Sequence, residues 1–552
     1  MTARVPGLAR SFREAPARRR LAGVLDPGTF VELLGPADRI TSPHLAALDL
    51  PVAFDDGVVV GSGRLGARAV LVAAQEGAFM GGGVGEVHGA KLAGLLARAR
   101  RERPAAVLLL LDTGGVRLQE ANAGLVAVSE VMRGVLAARS EGIPVVALVG
   151  GGWGCFGGMG IVARCCDRIA VSEEGRVGLS GPDVIEETRG VEELDAEDRA
   201  LVWRLYGGKH RVLLGEADLL VEDDVDAFRA AALELAARPR PITLEALDAE
   251  HAALARRLAE HGAASDSPEI WRALGVADPA AASLLGAEAF RRVAGAARAP
   301  AGARAPLRAA PAEAPPPEVR AVLDDLFPRG HSVSREGGIL AGGGTAAAGE
   351  VAVVGTCGGL EVGAEDALAL AGAILAVVRA APRRPILLLV DTRGQRMSRR
   401  DELLGLNGFL GHLASSIELA RRRGHRTVAL VTGEAVSAGA LALGFVADEV
   451  HALAGARLGV MSLPAMARVT KIPVERLEAL SATTPVLAPG LESFVSLGAV
   501  ESVWPPPLSA ALEGALARPA GPDLRAERGR ERGGRTLAAA VARAVAGGGH
   551  GA

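Results

Sequence analysis

Lysine is nearly missing from this chain. Of its 61 basic residues only Lys91, Lys209 and Lys471 are lysines, which argues against an extended lysine cradle for phosphate. Aromatic residues make up 3% of the sequence against 49% hydrophobic overall, so its cores must be built from Ala, Val and Leu. The four cysteines, Cys155, Cys165, Cys166 and Cys357, form no CxxC pair and have no histidine at zinc-ligand spacing; they read as small buried thiols, and no metal site is expected. GxSxG, HExxH and Walker A signatures are absent, which removes the common hydrolase, zinc-protease and P-loop readings. No run of about 18 apolar residues free of charges or turn residues suggests a membrane span. A net charge of −3 gives no general attraction to nucleic acid or to an anionic membrane. The first twenty residues are Arg-rich, but Glu14 interrupts them and they run straight into Leu21–Leu34, so a cytoplasmic protein is expected.

What is present is a duplication. Leu108–Glu120, LLLLDTGGVRLQE, returns as Leu387–Met397, LLLVDTRGQRM. Each is a short apolar run ending in Asp-Thr and then Gly, which reads as a buried strand turning sharply into a loop. Val145–Gly158 corresponds to Val428–Gly439, Cys166–Ile169 to Ala447–Val450, and Gly175–Pro182 to Gly455–Pro464. The offsets stay between 279 and 282 residues across all four segments, a period far too long for a solenoid. Two homologous domains follow, in an α/β class.

Along the chain, residues 1–296 form the first domain, 297–319 an Ala/Pro-rich linker, 320–515 the second domain, and 516–552 a helix with a mobile tail. Strands are expected at Val58–Val60, at Ala69–Ala74 and around Phe79, then a helix through Arg100. A strand at Leu108, a helix over Leu118–Ala138, a strand over Ile143–Val149, a helix after Gly157 and a strand over Arg168–Val171 continue a βα alternation. Residues Gly61–Gly66 match GxGxxG, but a strand rather than a helix follows, so a hairpin is the better reading than a dinucleotide site.

Chemically, each domain has two places where small residues follow a buried strand and expose N–H groups at a helix start. In the first copy these are Gly114-Gly115 and Gly157-Gly158, and in the second Arg393-Gly394 and Gly439-Ala440. Paired N–H groups suit a thioester carbonyl oxygen that becomes an enolate oxyanion. A single GG pair is more simply a tight turn; its duplication favours function.

FMGGGVGEVHGAKL, DTGGVRLQE and the Cys155–Gly158 turn resemble the amino-terminal half of the acyl-CoA carboxyltransferase family, whose fold is crotonase-like. DTRGQRMSRRDELLGLNGFLGHLA, VTGEAVSAGALALGF, MSLPAMARVTKIP and ATTPVLAPGLESFVSLGAVE are similar to the gamma subunit of malonate decarboxylases, and LDPGTFVELLGPADRITSPHL to their beta subunit. The resemblance implies two tandem crotonase-like carboxyltransferase domains of ββα superhelical units, with helices packed around the sheets. It implies a beta/gamma fusion of the biotin-independent type that decarboxylates a malonyl thioester to an acetyl thioester and CO2. No cofactor is then bound covalently to this chain: the substrate arrives on the CoA-like prosthetic arm of a separate acyl-carrier subunit, and a transferase (alpha) subunit reloads that carrier. A homo-oligomer is compatible with a site lying between opposing domains.

By family position Gly114, Gly115, Gly157 and Gly158 form one oxyanion region and Gly439 with Ala440 the other, with Phe79, Gly81, Gly82, Gly394 and Ser437 binding substrate. His88 is the proton-donor candidate, sharing that role with Glu86, Glu120, Ser180, Ser437 and water; Lys91 is expected to cap or salt-bridge locally. Many relatives carry Pro at the place of Arg393 and Gly at that of Ala438, so the second hole should differ in shape. The competing readings are a carboxyltransferase that exchanges the carboxyl group with a biotin carrier, and an inactive scaffold.

Overall fold

A computed structural model describes residues 10–297, 312–482 and 484–548. The first half is a seven-stranded sheet in sequential order, β1 (Val31–Leu33), β2 (Val58–Leu65), β3 (Arg68–Gln75), β4 (Ala106–Leu111), β5 (Val145–Val149), β6 (Arg168–Val171) and β7 (Leu219–Leu220). The first three strands are antiparallel, and the rest run parallel from β3 onward. β4 and β5 are buried along their whole length, which is why they read as unbroken apolar runs rather than as alternating ones. The GxGxxG segment lies in the β2–β3 hairpin: a Cβ on Gly61 would stand 2.3 Å from the Val31 carbonyl oxygen, so β1 can pair there only against glycine.

The second half repeats this plan in nine strands: β8 (Ser334–Glu336), β9 (Ile339–Ala346), β10 (Gly349–Thr356), β11 (Leu360–Val362), β12 (Ile386–Gln395), β13 (Thr427–Val436), β14 (Glu449–Leu453), β15 (Arg457–Gly459) and β16 (Ser502–Trp504). The main path runs β16-β14-β13-β12-β10-β9-β8, with β11 on β12 and β15 on β13. The β9–β10 hairpin has the same lengths and pairing as β2–β3. Helix Glu86–Glu102 and helix Ala364–Ala380 follow the two hairpins and are both 17 residues long. The strand expected around Phe79 does not form. Phe79 instead precedes a short 3-10 turn, Met80–Gly82, in which Gly81 and Gly82 both have φ of +64°, a conformation incompatible with a strand.

Helices of both halves meet between the sheets, and one continuous apolar core extends from Leu33 to Val545. Helix Ala121–Ser140 of the first half packs with helix Leu406–Arg422 of the second, and helix Gly158–Cys165 also packs on the latter. The apolar stretch Leu118–Ser140 is long enough to cross a membrane, but it is 89% buried as the central core helix. Helix Leu244–His261 packs on helices Ala364–Ala380 and Leu406–Arg422 of the second half.

The first-half helices continue to Ala297 and a new helix, Pro317–Leu326, starts within the expected linker; residues 298–311 lie outside the described ones. The expected C-terminal segment carries a helix, Ala538–Gly547, and its last residues, 549–552, lie outside the described ones. Helix Ala538–Gly547 packs along Glu86–Glu102, where Gly94 leaves room for the Ala542 carbonyl, and the buried Arg535 forms a two-pronged ion pair with Glu130 at 2.8 and 2.6 Å.

Candidate active site

The strand β4 ends in Asp112-Thr113. Asp112 is buried, accepts the Trp153 N–H at 2.8 Å and pairs with Arg20 at 2.9 Å; burial pushes its carboxyl up, and Arg20 opposes that. Thr113 Oγ1 accepts the Gly115 N–H at 2.9 Å. The Gly114 N–H donates to the Gly81 carbonyl at 2.9 Å, and the Gly157 N–H to the Leu179 carbonyl at 2.7 Å. Three of the four expected oxyanion donors are therefore already committed. The N–H groups of Gly158, first residue of helix Gly158–Cys165, and of Gly81 have no acceptor among the described residues. Both residues line one cavity.

The second half copies this turn with a shift that the sequence alignment misplaces. Asp391 accepts the Glu434 N–H at 2.9 Å, and Thr392 Oγ1 accepts the Gly394 N–H at 3.0 Å. Thr113 bridges to Cys155, whereas Thr392 pairs with Ala435, because the second loop is two residues shorter between its glycine and the strand bridge. Gly157 and Gly158 therefore correspond to Ser437 and Ala438, not to Gly439 and Ala440. The backbone agrees: φ is +59° at Gly157 and +47° at Ser437. Gly439 is packed instead against Thr392, where a Cβ would approach Oγ1 to 2.7 Å, and Ala440 is buried inside the helix.

The cavity, about 430 Å³, lies between the two halves. The first half supplies Gly81, Gly114, Gly157, Gly158 and Ser180, and the second half Gln395, Met397, Ser437, Ala438 and Leu441. It adjoins a second space of about 210 Å³, reached past Gln395 and Ser437 and bordered by Arg393 and Arg468. Gln395 joins the halves: its Nε2 donates to Ser180 Oγ at 3.3 Å and its Oε1 accepts the Ala438 N–H at 3.4 Å. Among the described lining residues of the main cavity there is no carboxylate, imidazole, thiol or ammonium group. Arg117 lines it, but its guanidinium is committed to Asp56 at 2.8 Å and Glu120 at 2.9 Å.

Several expected site residues do not reach this cavity. His88 is fully buried; its backbone N–H goes to Asp56, its ring Nδ1 lies 3.2 Å from the Asp56 carbonyl, and the Gln75 amide donates to its Nε2 at 3.1 Å. Burial and the nearby Arg117 hold the imidazole well below its usual range, so it is a neutral buttress of the Asp112 turn, whose N–H Gln75 also accepts. Phe79 packs under the Arg117 guanidinium, Gly82 leaves room for the Asp112 carbonyl, and Gly115 and Gly394 shape their turns without lining the cavity. Glu86 caps helix Ala538–Gly547 through the N–H groups of Leu537 and Ala538 and bonds His44; Glu120 is held by Arg117 and Ser42. Lys91 caps the carbonyls of Asp55 and Val58, as expected, and burial brings it down to about 8. The thiols are buried, and burial drives them up, Cys165 to about 12.

The sequence reading missed Gln395, Trp153 and Glu402. Trp153 lines the cavity mouth with 53% of its surface exposed, and the corresponding N–H in the second half belongs to Glu434, so the two copies have diverged at this place. That contrast was the available signal.

Residues 14–252 match the carboxyl transferase domain family, and residues 357–548 the malonate decarboxylase gamma subunit family. The chain is 44% identical over 244 residues to the malonyl-S-ACP:biotin-protein carboxyltransferase MADC of Malonomonas rubra, covering 42% of this chain and 76% of that protein. It is 36% identical over 151 residues to the MADD protein of the same organism and name, covering 26% of this chain and 52% of that one. A chain of a Pseudomonas malonate decarboxylase hetero-tetramer in complex with malonate is 42% identical over 48% of this chain and 97% of its own, with a TM-score of 0.44. The chain thus belongs to the carboxyltransferase subunits of malonate decarboxylase, two carboxyltransferase domains of beta and gamma type joined in one polypeptide.

Proposed function

We propose that this chain removes the carboxyl group of a malonyl thioester presented on the arm of an acyl-carrier subunit, as the catalytic component of a malonate decarboxylase complex. The observation that carries this reading is a cavity that holds the unpaired backbone N–H groups of Gly81 and Gly158 and, among the described lining residues, no basic side chain able to take a proton at neutral pH. Breaking the bond between the carboxylate and carbon 2 sends its electron pair toward the thioester oxygen and releases CO2. That step needs hydrogen-bond donors to the developing oxyanion but no general base, whereas building malonyl from acetyl would need one to remove a carbon-bound proton. A well-aimed N–H donor contributes roughly 3 kcal/mol to stabilising such an enolate. Apolar walls from Leu125, Val184, Met397 and Leu441 keep the departing carboxylate from being over-stabilised. The enolate then takes a proton at carbon 2 from water or from a hydroxyl such as that of Ser180 or Ser437, both of which line the cavity.

A second reading sends the carboxyl group to a biotin carrier instead. The names of the Malonomonas relatives describe that transfer, and the adjoining 210 Å³ space beside Ser437 offers room for an acceptor. Release of labelled CO2 from malonyl carrier protein, with and without avidin, separates the two. Release that avidin leaves untouched supports direct decarboxylation; dependence on a biotin carrier moves the reaction to transfer. No turnover with either carrier would leave only a scaffold.

A further inference from the structure

Glu402 lies in the second half, on the short helix Arg399–Leu404, and is fully buried. Its two carboxylate oxygens leave that half. Oε2 accepts the Leu179 N–H at 3.0 Å and Oε1 the Ser180 N–H at 2.7 Å, so one side chain grips two successive amides of the first half. The carbonyl of Leu179 in turn accepts the Gly157 N–H, and Gly157 immediately precedes the free donor of Gly158. Only two hydrogen bonds separate Glu402 from the peptide that carries the unpaired N–H.

The surroundings fix the carboxylate from both sides. Gly178 has no side chain, and a Cβ there would meet the Tyr206 ring at 2.6 Å and Glu402 Oε2 at 2.9 Å. Tyr206 donates to the Ser180 carbonyl at 2.9 Å, closing the far side of the loop. Arg211, fully buried, donates to the Glu402 carbonyl at 2.9 Å, while its Nε and Nη1 have no hydrogen-bond partner. Trp271 donates to His210 Nδ1, which leaves His210 Nε2 to donate to the Leu403 carbonyl at 2.9 Å. A buried carboxylate that reaches across a domain boundary to two amides is costly in isolation, so its presence there calls for a role beyond packing.

We infer that Glu402 is a positioning residue for the reaction proposed above: the second half, through this carboxylate, sets the orientation of the first half's Gly157–Gly158 turn and hence of its oxyanion donor. The inference rests on that reading of the cavity. It also means that the first-half site is complete only with the second half in place.

The test is Glu402→Gln in the full chain, which keeps one acceptor and turns an amide donor toward the other N–H. Loss of one aimed donor costs roughly 100- to 1000-fold in kcat, and a misaligned one should cost less: kcat is expected to fall about 10- to 100-fold while KM stays within about twofold. Hydrogen–deuterium exchange of the peptide spanning residues 156–161 should speed up in the same variant, a readout that stands whether or not malonyl thioester proves to be the substrate. Glu402→Asp, with two acceptors on a shorter stem, should recover part of both. Unchanged exchange at 156–161 overturns the coupling; faster exchange with unchanged kcat overturns its role in the reaction. Absence of turnover in the wild-type chain counts against the proposed function alone.

Discussion

Gly158 combines the two properties that an oxyanion donor needs: an N–H that the fold leaves unpaired and a side-chain direction already filled. A Cβ at this position would come within 2.8 Å of Val128 Cγ1 and 2.9 Å of Leu441 Cδ2, one contact from each half. Substituting Gly158→Val therefore drives the turn out of place rather than adding contacts. We expect kcat to fall by about 100-fold or more, the loss expected for one donor, with a cooperative melting transition retained. Unchanged turnover in a folded variant would refute the assignment. Glycine at Gly439 answers a different need, since it accommodates Thr392 and the Gly394 carbonyl. Its substitution should show first as lost stability. Sequence could place both glycines after a buried strand, but it could not tell an N–H that is spent from one that is free. That distinction depends on where Gly81, Leu179 and Thr113 put their acceptors, and these residues come from three separate loops.

At the scale of elements, the strands and central helices were legible because burial wrote them plainly: the expected Arg168–Val171 strand forms with those bounds, and the Leu118 helix becomes a 3-10 turn followed by Ala121–Ser140. Legibility failed where loop length changed between the copies, which moved the second helix start by two residues, and where a local composition of Ala, Arg and Gly concealed a long-range partner, as in the C-terminal helix. Short helices are also held by groups that no local pattern reveals. Glu173, after β6, accepts the Lys209 N–H at 2.7 Å and so caps helix Gly208–Leu213, which carries His210 and Arg211. Burial pushes Glu173 up to about 7.

A carboxyl raised in the folded state holds its proton where the unfolded chain has released it. Its contribution is thus fully present below about 4.5 and is lost as pH rises toward about 7. Glu173→Gln keeps the acceptor without the titration. The variant should gain stability relative to wild type between pH 5 and pH 7.5, by at most about 3 kcal/mol, read from denaturant midpoints at the two pH values. An identical difference at both would show that Glu173 titrates normally in the fold.

For the whole molecule, the site requires that the halves stay together, and covalent joining is only one of the devices that does this. Helix Leu244–His261 leaves the first half to lie on the second. The segment after the second sheet returns to the first: Arg525 donates to Ser129 at 2.6 Å, Arg535 pairs with Glu130, and Glu86 caps the final helix. Asn122 reaches the other way, donating to the carbonyl of Ala488 at 2.8 Å. These contacts are buried or half-buried and come from both directions, so they form a continuous interface rather than a tether. Obligate interfaces of this apolar kind hold without a linker. Cutting the chain within residues 298–311 should therefore leave a complex that elutes where the uncut chain does and turns over at the wild-type rate. Fragments that separate on size exclusion would show that the linker, not the interface, maintains the cavity. Fragments that separate and remain active would contradict a site shared between the halves.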